Sequence, residues 1–182
     1  MEDRERELTL ERDFLLRVLE LGHHDDVAAL VSEALDVIVD LSGARHGYIE
    51  LTPGVGGGSE SGFFALHGGL EREAVRELLS STIMEASRRE GVIVTQIAHA
   101  DPRFEEARSV RRHQIDAVIC APIGEPPLGV VYLQGAPNRG GQGFAPHVAR
   151  LVALFARHLA PVAQRLMRRP SGDPTGPWRD RL

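Results

Sequence analysis

Ile115-Asp116-Ala117-Val118-Ile119-Cys120-Ala121-Pro122-Ile123, the turn residues Gly124-Glu125-Pro126-Pro127, and Leu128-Gly129-Val130-Val131-Tyr132-Leu133-Gln134 form the stretch that decides the fold. Two short apolar runs, rich in valine and isoleucine, flank a glycine–proline turn, which reads as a β-hairpin. Upstream, Val92–Thr95 is a short β-branched strand. Asp101-Pro102 opens a turn, and Arg103–His113 is a polar, helical stretch.

Further upstream, Ala44–Leu51 and Gly62–His67 read as an antiparallel pair joined across Pro53-Gly54-Val55-Gly56-Gly57-Gly58-Ser59. Residues 71–90 return to helical spacing through Val75, Leu78, Leu79, Ile83 and Met84, and Thr82 with Glu85 suits a capping box. The chain opens with helical spacing at Leu8, Phe14, Leu15, Val18, Leu19 and Leu21, broken at Gly22. Asp25 and Asp26 are placed to cap a second helix, with its stripe at Val27, Leu30, Val31, Ala34, Leu35, Ile38 and Leu41, ended by Ser42-Gly43.

After the hairpin comes a loop, Gly135–Gly143. A long helix over about 144–169 then carries Val148, Leu151, Val152, Phe155, Leu159, Val162 and Leu166, and Pro161 is expected to kink it. The order α-α-β-β-α-β-α-β-β-α implies a mostly antiparallel sheet. Its terminal helices cover one face and segment 68–116 is free to roof the other. A sheet roofed in this way commonly forms a small-molecule pocket.

The 182 residues suit one domain with an extension. All 21 cationic side chains are arginine, so Schiff-base and phosphate-loop lysine chemistry is excluded. A formal charge of -5 gives no general attraction to nucleic acid or anionic membrane. The single Cys120 excludes internal disulfides, Cys-x-x-Cys redox pairs and multi-cysteine zinc sites, and it fits a reducing, cytoplasmic compartment. The charged start Met1–Glu7 is not a signal peptide, and no apolar window is long enough to span a membrane.

Several pieces together resemble a GAF domain over about Leu8–Leu166. They are Leu41-Ser42-Gly43-Ala44-Arg45-His46-Gly47, Gly91–Thr95, Ala100-Asp101-Pro102-Arg103-Phe104, and the hairpin strands. The flavour is that of the sensor domain of bacterial sigma-54-dependent (enhancer-binding, Fis-family) transcriptional regulators. The resemblance implies an α/β (α+β) fold with a central antiparallel sheet of five to six strands, the N- and C-terminal helices packed together on one face. It also implies dimerisation through those helices and a ligand pocket on the far face.

Family activities transfer unevenly. Bilin attachment uses a cysteine commonly followed by histidine, whereas Cys120 precedes Ala121. Methionine sulfoxide reduction needs several cysteines. Cyclic-nucleotide binders place an acid four residues after the phenylalanine that follows their Asn-Lys pair. Here Asn138-Arg139 and Phe144 are followed by Val148.

No His-Glu-x-x-His, Gly-x-Ser-x-Gly or phosphate-loop motif is present, so no enzyme and no catalytic residue is expected. His23-His24-Asp25-Asp26 is a wet helix corner rather than a metal site. No metal or other cofactor is expected. His99, Asp101, Arg103, Phe104 and Arg111 fall in the roofing segment, where arginine forks suit carboxylate or phosphate ligands. Strand parity adds Tyr48 with Glu50 and Tyr132 with Gln134, pointing away from the terminal helices. Cys120, in mid-strand, completes the candidate ligand-binding set and reads by itself as a buried thiol.

The expected organisation is therefore an N-terminal dimerisation helix (1–21), a GAF sensor domain (22–169) and a linker (170–182) toward a further output domain. The function read from it is small-molecule sensing in a transcriptional regulator, the ligand altering a helical homodimer. DNA and sigma-54 RNA polymerase would be met only through domains outside this chain. The other reading is a GAF-type dimerisation module that binds no ligand.

Overall fold

The computed structural model describes residues 2–52, 62–68, 79–113, 115–135 and 143–168. The expected loop Pro53–Ser59, residues 71–78 of the expected helix, most of the loop after Gly135, and the linker 170–182 lie outside the described residues.

The hairpin is present. Strand β4 (Val118–Ile123) pairs antiparallel with β5 (Gly129–Gln134), Cys120 opposite Tyr132 and Ile123 opposite Gly129. β1 (His46–Leu51) pairs with the other edge of β5, β2 (Phe63–His67) lies outside β1, and β3 (Ile93–Thr95) lies outside β4. The sheet thus has five antiparallel strands in the order β2-β1-β5-β4-β3. The fold is the expected α+β arrangement.

Three long helices cover one face. α1 (Glu2–Glu20) ends in a 3-10 turn at Leu21–His23, where Gly22 was expected to break it. α2 (Val27–Ser42) starts at Asp26, whose carboxylate accepts from the Ala29 amide at 2.8 Å. Such a cap stabilises by about 1 kcal/mol. Gly43 ends it in the left-handed region (φ 63), which a side chain disfavours, and its amide bonds Val39 O at 2.8 Å. α5 (Pro146–Met167) runs through Pro161, which sits on its exposed side.

The stripes of α2 and α5 pack on Ile49, Leu51, Ile119, Ile123, Val131 and Leu133. Each such side chain stabilises by roughly 1.5–3 kcal/mol when fully buried. Val37 and Val39 are buried as well, outside the stripe read from spacing. Val37 borders α1, and Val39 presses toward Gly47 of β1. A one-face pattern misses both, because α2 is enclosed on more than its sheet side.

The far face has its own core, built by α3 (Ser81–Glu90), the 3-10 turn Ala98–Ala100, and α4 (Arg108–His113). Two expectations are corrected here. The cap of α3 is Ser80, whose hydroxyl accepts from Ile83 N at 3.3 Å, not Thr82 with Glu85, which lie inside the helix. The helical stretch expected over 103–113 is a turn at 102–106 followed by α4, since Phe104 and Glu105 amides both bond Asp101 O at 2.9 Å.

Gly129 sets how closely β5 approaches β1. A Cβ there would run into the Glu50 carbonyl, which is backbone and has no rotamer to escape through. Gly129→Ala is therefore expected to destabilise by about 2–3 kcal/mol, read as a lowered urea midpoint. Gly22→Ala, with no atom within 4 Å of the new methyl, is expected to stay within about 0.5 kcal/mol of wild type.

Candidate functional site

Strand alternation delivers three rows of side chains to the roofed face. Register places Ile93, Cys120, Tyr132, Tyr48 and Leu66 side by side across β3, β4, β5, β1 and β2. On one side of this row run Pro122, Val130, Glu50 and Phe64; on the other run Thr95, Val118, Gln134 and His46. Tyr48, Glu50, Cys120, Tyr132 and Gln134 thus share one face, because residues two apart along a strand point the same way.

Tyr132 lies at the centre and has no exposed surface. Its hydroxyl and His46 Nδ1 are the buried side-chain polar atoms without a hydrogen-bond partner among the described residues. A buried unpaired hydroxyl costs roughly 1–3 kcal/mol. Burial pushes the phenol pKa well above its ordinary value, and the nearby Cys120 adds to the rise. The Ser80 amide lies close enough to oppose that rise, yet without the geometry of a hydrogen bond. Desolvation, then Arg45 and His67, lower the His46 pKa.

The Cys120 thiol is pushed up to about 12 by burial, against weaker lowering by Ser87 and Arg88. A thiol so placed is inert at neutral pH. Ser87 Oγ donates to the Cys120 carbonyl at 3.1 Å. Tyr48 Oη donates to one Glu50 oxygen at 2.6 Å and Arg88 of α3 pairs with the other. The Glu50 carboxylate is thereby compensated where it is half buried.

The remaining candidates stand at the β3 end. His99 Nδ1 lies 3.2 Å from Ile115 O and 3.3 Å from an Asp116 oxygen, pinning the 3-10 turn to the segment leading into β4. Asp101 accepts from Arg103 N at 3.0 Å and from its guanidinium at 3.0 and 2.7 Å. These bonds, with one from Thr95, hold its carboxyl down at about 2. Arg103 also lies 5.0 Å over the ring of Phe104, which is itself buried in the far-face core. Arg111 is exposed on α4. The structure therefore gathers Tyr48, Glu50, Cys120, Tyr132 and Gln134, and sets His99, Asp101, Arg103 and Arg111 apart from them.

Sequence reasoning missed Arg88, Ser80 and Ser87. Their signal is faint: the small residues Ser80, Ala86 and Ser87 mark the side on which α3 meets the sheet, and Arg88 follows at its edge. Among the described residues, no group of three or more His, Cys, Asp or Glu side chains is placed to hold a metal ion, and no helix is long and apolar enough to cross a membrane. A groove of about 180 Å³ opens on the opposite side of the molecule, between α1, α2 and α5, over Phe14, Val37 and Leu151.

No protein-family model and no curated protein matches the sequence. Solved structures do match its fold. The GAF domain of an Acinetobacter phosphoenolpyruvate-protein phosphotransferase is 15% identical, with 92% of this chain and 98% of that chain covered and a TM-score of 0.62. A methyl-accepting chemotaxis protein segment is 13% identical, covering 82% and 95%, with a TM-score of 0.60. The free methionine-R-sulfoxide reductase of Neisseria meningitidis, solved with its substrate, is 13% identical, covering 84% and 87%, with a TM-score of 0.57.

Two outcomes are expected. Tyr132→Phe removes the unpaired hydroxyl and should raise stability by about 1 kcal/mol in urea unfolding of ligand-free protein; a loss instead would mean the hydroxyl has a partner. Asp101 has a folded pKa below its unfolded value, so its contribution is complete above about pH 4 and is lost as pH falls toward 2. Asp101→Asn should flatten the acid limb of the stability profile in that window. On sequence and coordinates together, the chain has the GAF fold.

Proposed function

We propose that the chain is a regulatory sensor module of a bacterial transcriptional regulator of the sigma-54-dependent class, taking a small molecule against the roofed face of its sheet and passing the change to a helical homodimer. The observation that carries this is the Tyr132 hydroxyl, buried at the centre of that face and without a hydrogen-bond partner among the described residues. A ligand oxygen or nitrogen that accepts a hydrogen bond there would satisfy that hydroxyl.

Residues 22–169 form the sensor body in this reading, and residues 170–182 lead toward an output domain. A single free cysteine fits a reducing, cytoplasmic setting. Ligand contact centres on Tyr48, Glu50, Cys120, Tyr132 and Gln134; His99, Asp101, Arg103, Phe104 and Arg111 shape the mouth. Catalysis is not part of the proposal. The lone Cys120 thiol is buried and un-ionised, and no paired nucleophile and base stands beside it.

The dimer rests on α1. Within its own domain α1 packs beside α2 and α5. Phe14 and Leu21 are buried there, with the Phe14 and Phe155 ring centres 6.2 Å apart. A second apolar stripe remains: Leu8 is 57% exposed, Leu15 41%, Leu16 56% and Leu19 68%. Such a stripe on one helix fits a second copy of the same helix.

A second reading, a dimerisation module that takes no ligand, is favoured by one specific observation. Tyr132, Cys120, Val118 and Val130 are fully buried, and α3 lies directly over this face.

Two measurements decide. Thermal-shift screening of apolar and anionic metabolites is expected to find a compound that stabilises wild type and shifts Tyr132→Phe much less; no stabiliser at all supports the second reading. In sedimentation, wild type is expected to be a dimer, and Leu15→Glu with Leu19→Glu a folded monomer; a monomeric wild type overturns the dimer.

A further inference from the structure

We propose that helix α3 is a latched cover, lifting from the sheet as a unit, and that the Arg88–Glu50 pair sets how often it does so. This rests on the ligand-site reading only for its biological use; the movement itself is measured without ligand.

The hold of α3 on the sheet is unusual in its make-up. Its buried side chains are Ile83, Ala86 and Ser87, and two of these are small. Much of the remaining grip is polar. Ser87 Oγ bonds the Cys120 carbonyl of β4 at 3.1 Å, and Arg88 pairs with Glu50 of β1. β4 and β1 lie on either side of β5, so the two ties straddle the strand that carries Tyr132. Tyr48 holds the far oxygen of Glu50 at 2.6 Å and keeps the carboxylate aimed at the arginine.

Polar ties of this kind exchange readily with water. The Arg88 and Glu50 side chains keep 35% and 23% of their surface exposed, so water replaces the partner when the pair opens. An apolar footprint has no such substitute, and the one α3 supplies rests on Ile83 and Ala86, with Met84 partly buried against them. Gly91 then joins α3 to β3 at φ 96, with no atom within 4 Å of its Cβ position. The positive φ is one that glycine adopts without strain, and the joint lies in open space. Beneath the cover the Tyr132 hydroxyl has no hydrogen-bond partner among the described residues, and opening to water would give it one.

Cys120 reports the movement. It is the single cysteine of the chain and lies buried under α3. The full chain is labelled with a small aromatic disulfide at increasing urea, while global unfolding is followed by circular dichroism. The expected result is a labelling route whose urea dependence is shallower than that of global unfolding, because lifting one helix exposes less surface. Arg88→Ala and Glu50→Gln should each speed that route about two- to fivefold. The double variant should be no faster than the faster single one, as required if both act through one pair.

Labelling that always follows the full unfolding slope would overturn the proposal. So would variants whose acceleration equals their loss of global stability. If Arg88→Ala fails to fold, the wild-type slope and Glu50→Gln still decide. A screen that finds no ligand leaves this result standing, so the two readings fail separately.

Discussion

The central strand β5 carries the constraint from which the rest follows. It is paired on both edges and covered on both faces, with Gly129 to Leu133 all buried. Its odd-numbered apolar residues, Val131 and Leu133, face α2 and α5, while Val130 and Tyr132 face α3. Gly129 lets β1 come close at one end, and the turn to β4 fixes the other edge. Shifting the register by one residue would exchange the two faces and bury the Tyr132 ring among the long helices. Every later feature, including the row from Ile93 to Leu66, inherits this alternation.

The two faces are held by different forces. On the helix side, large aliphatic and aromatic side chains interlock, and a loss there costs several kcal/mol. On the roofed side the apolar footprint is smaller, and polar groups do more of the holding: Ser87 on a carbonyl, Arg88 on a carboxylate, His99 and Asp101 at the margin. Coupling to a helical pair requires that a bound molecule favour one arrangement of the roof over another. α1 belongs to the firm side, so a change that begins under α3 reaches it only through the sheet and the two helices packed upon it.

The sheet was legible because its signals are local. The hairpin, the α2 stripe and the Asp26 cap depend on neighbours in sequence, and strand parity correctly sent Tyr48, Glu50, Tyr132 and Gln134 to the roofed face. The ends of elements were less legible. Ser80 caps α3 where Thr82 was expected, since a hydroxyl followed by an acid three residues on also occurs inside helices. Asp101 and Arg103 pair with each other within a tight turn, a local closure that composition does not reveal. Arg88 was invisible because its partner Glu50 is 38 residues away and meets it only when α3 crosses the sheet.

In the proposed function a bound molecule meets the Tyr132 hydroxyl on the roofed face. A high-resolution crystal structure of the protein as purified tests it most directly. Density from a non-protein molecule within hydrogen-bonding distance of that oxygen is the expected result. A hydroxyl sealed in a dry core and bonded to the Ser80 amide would contradict it.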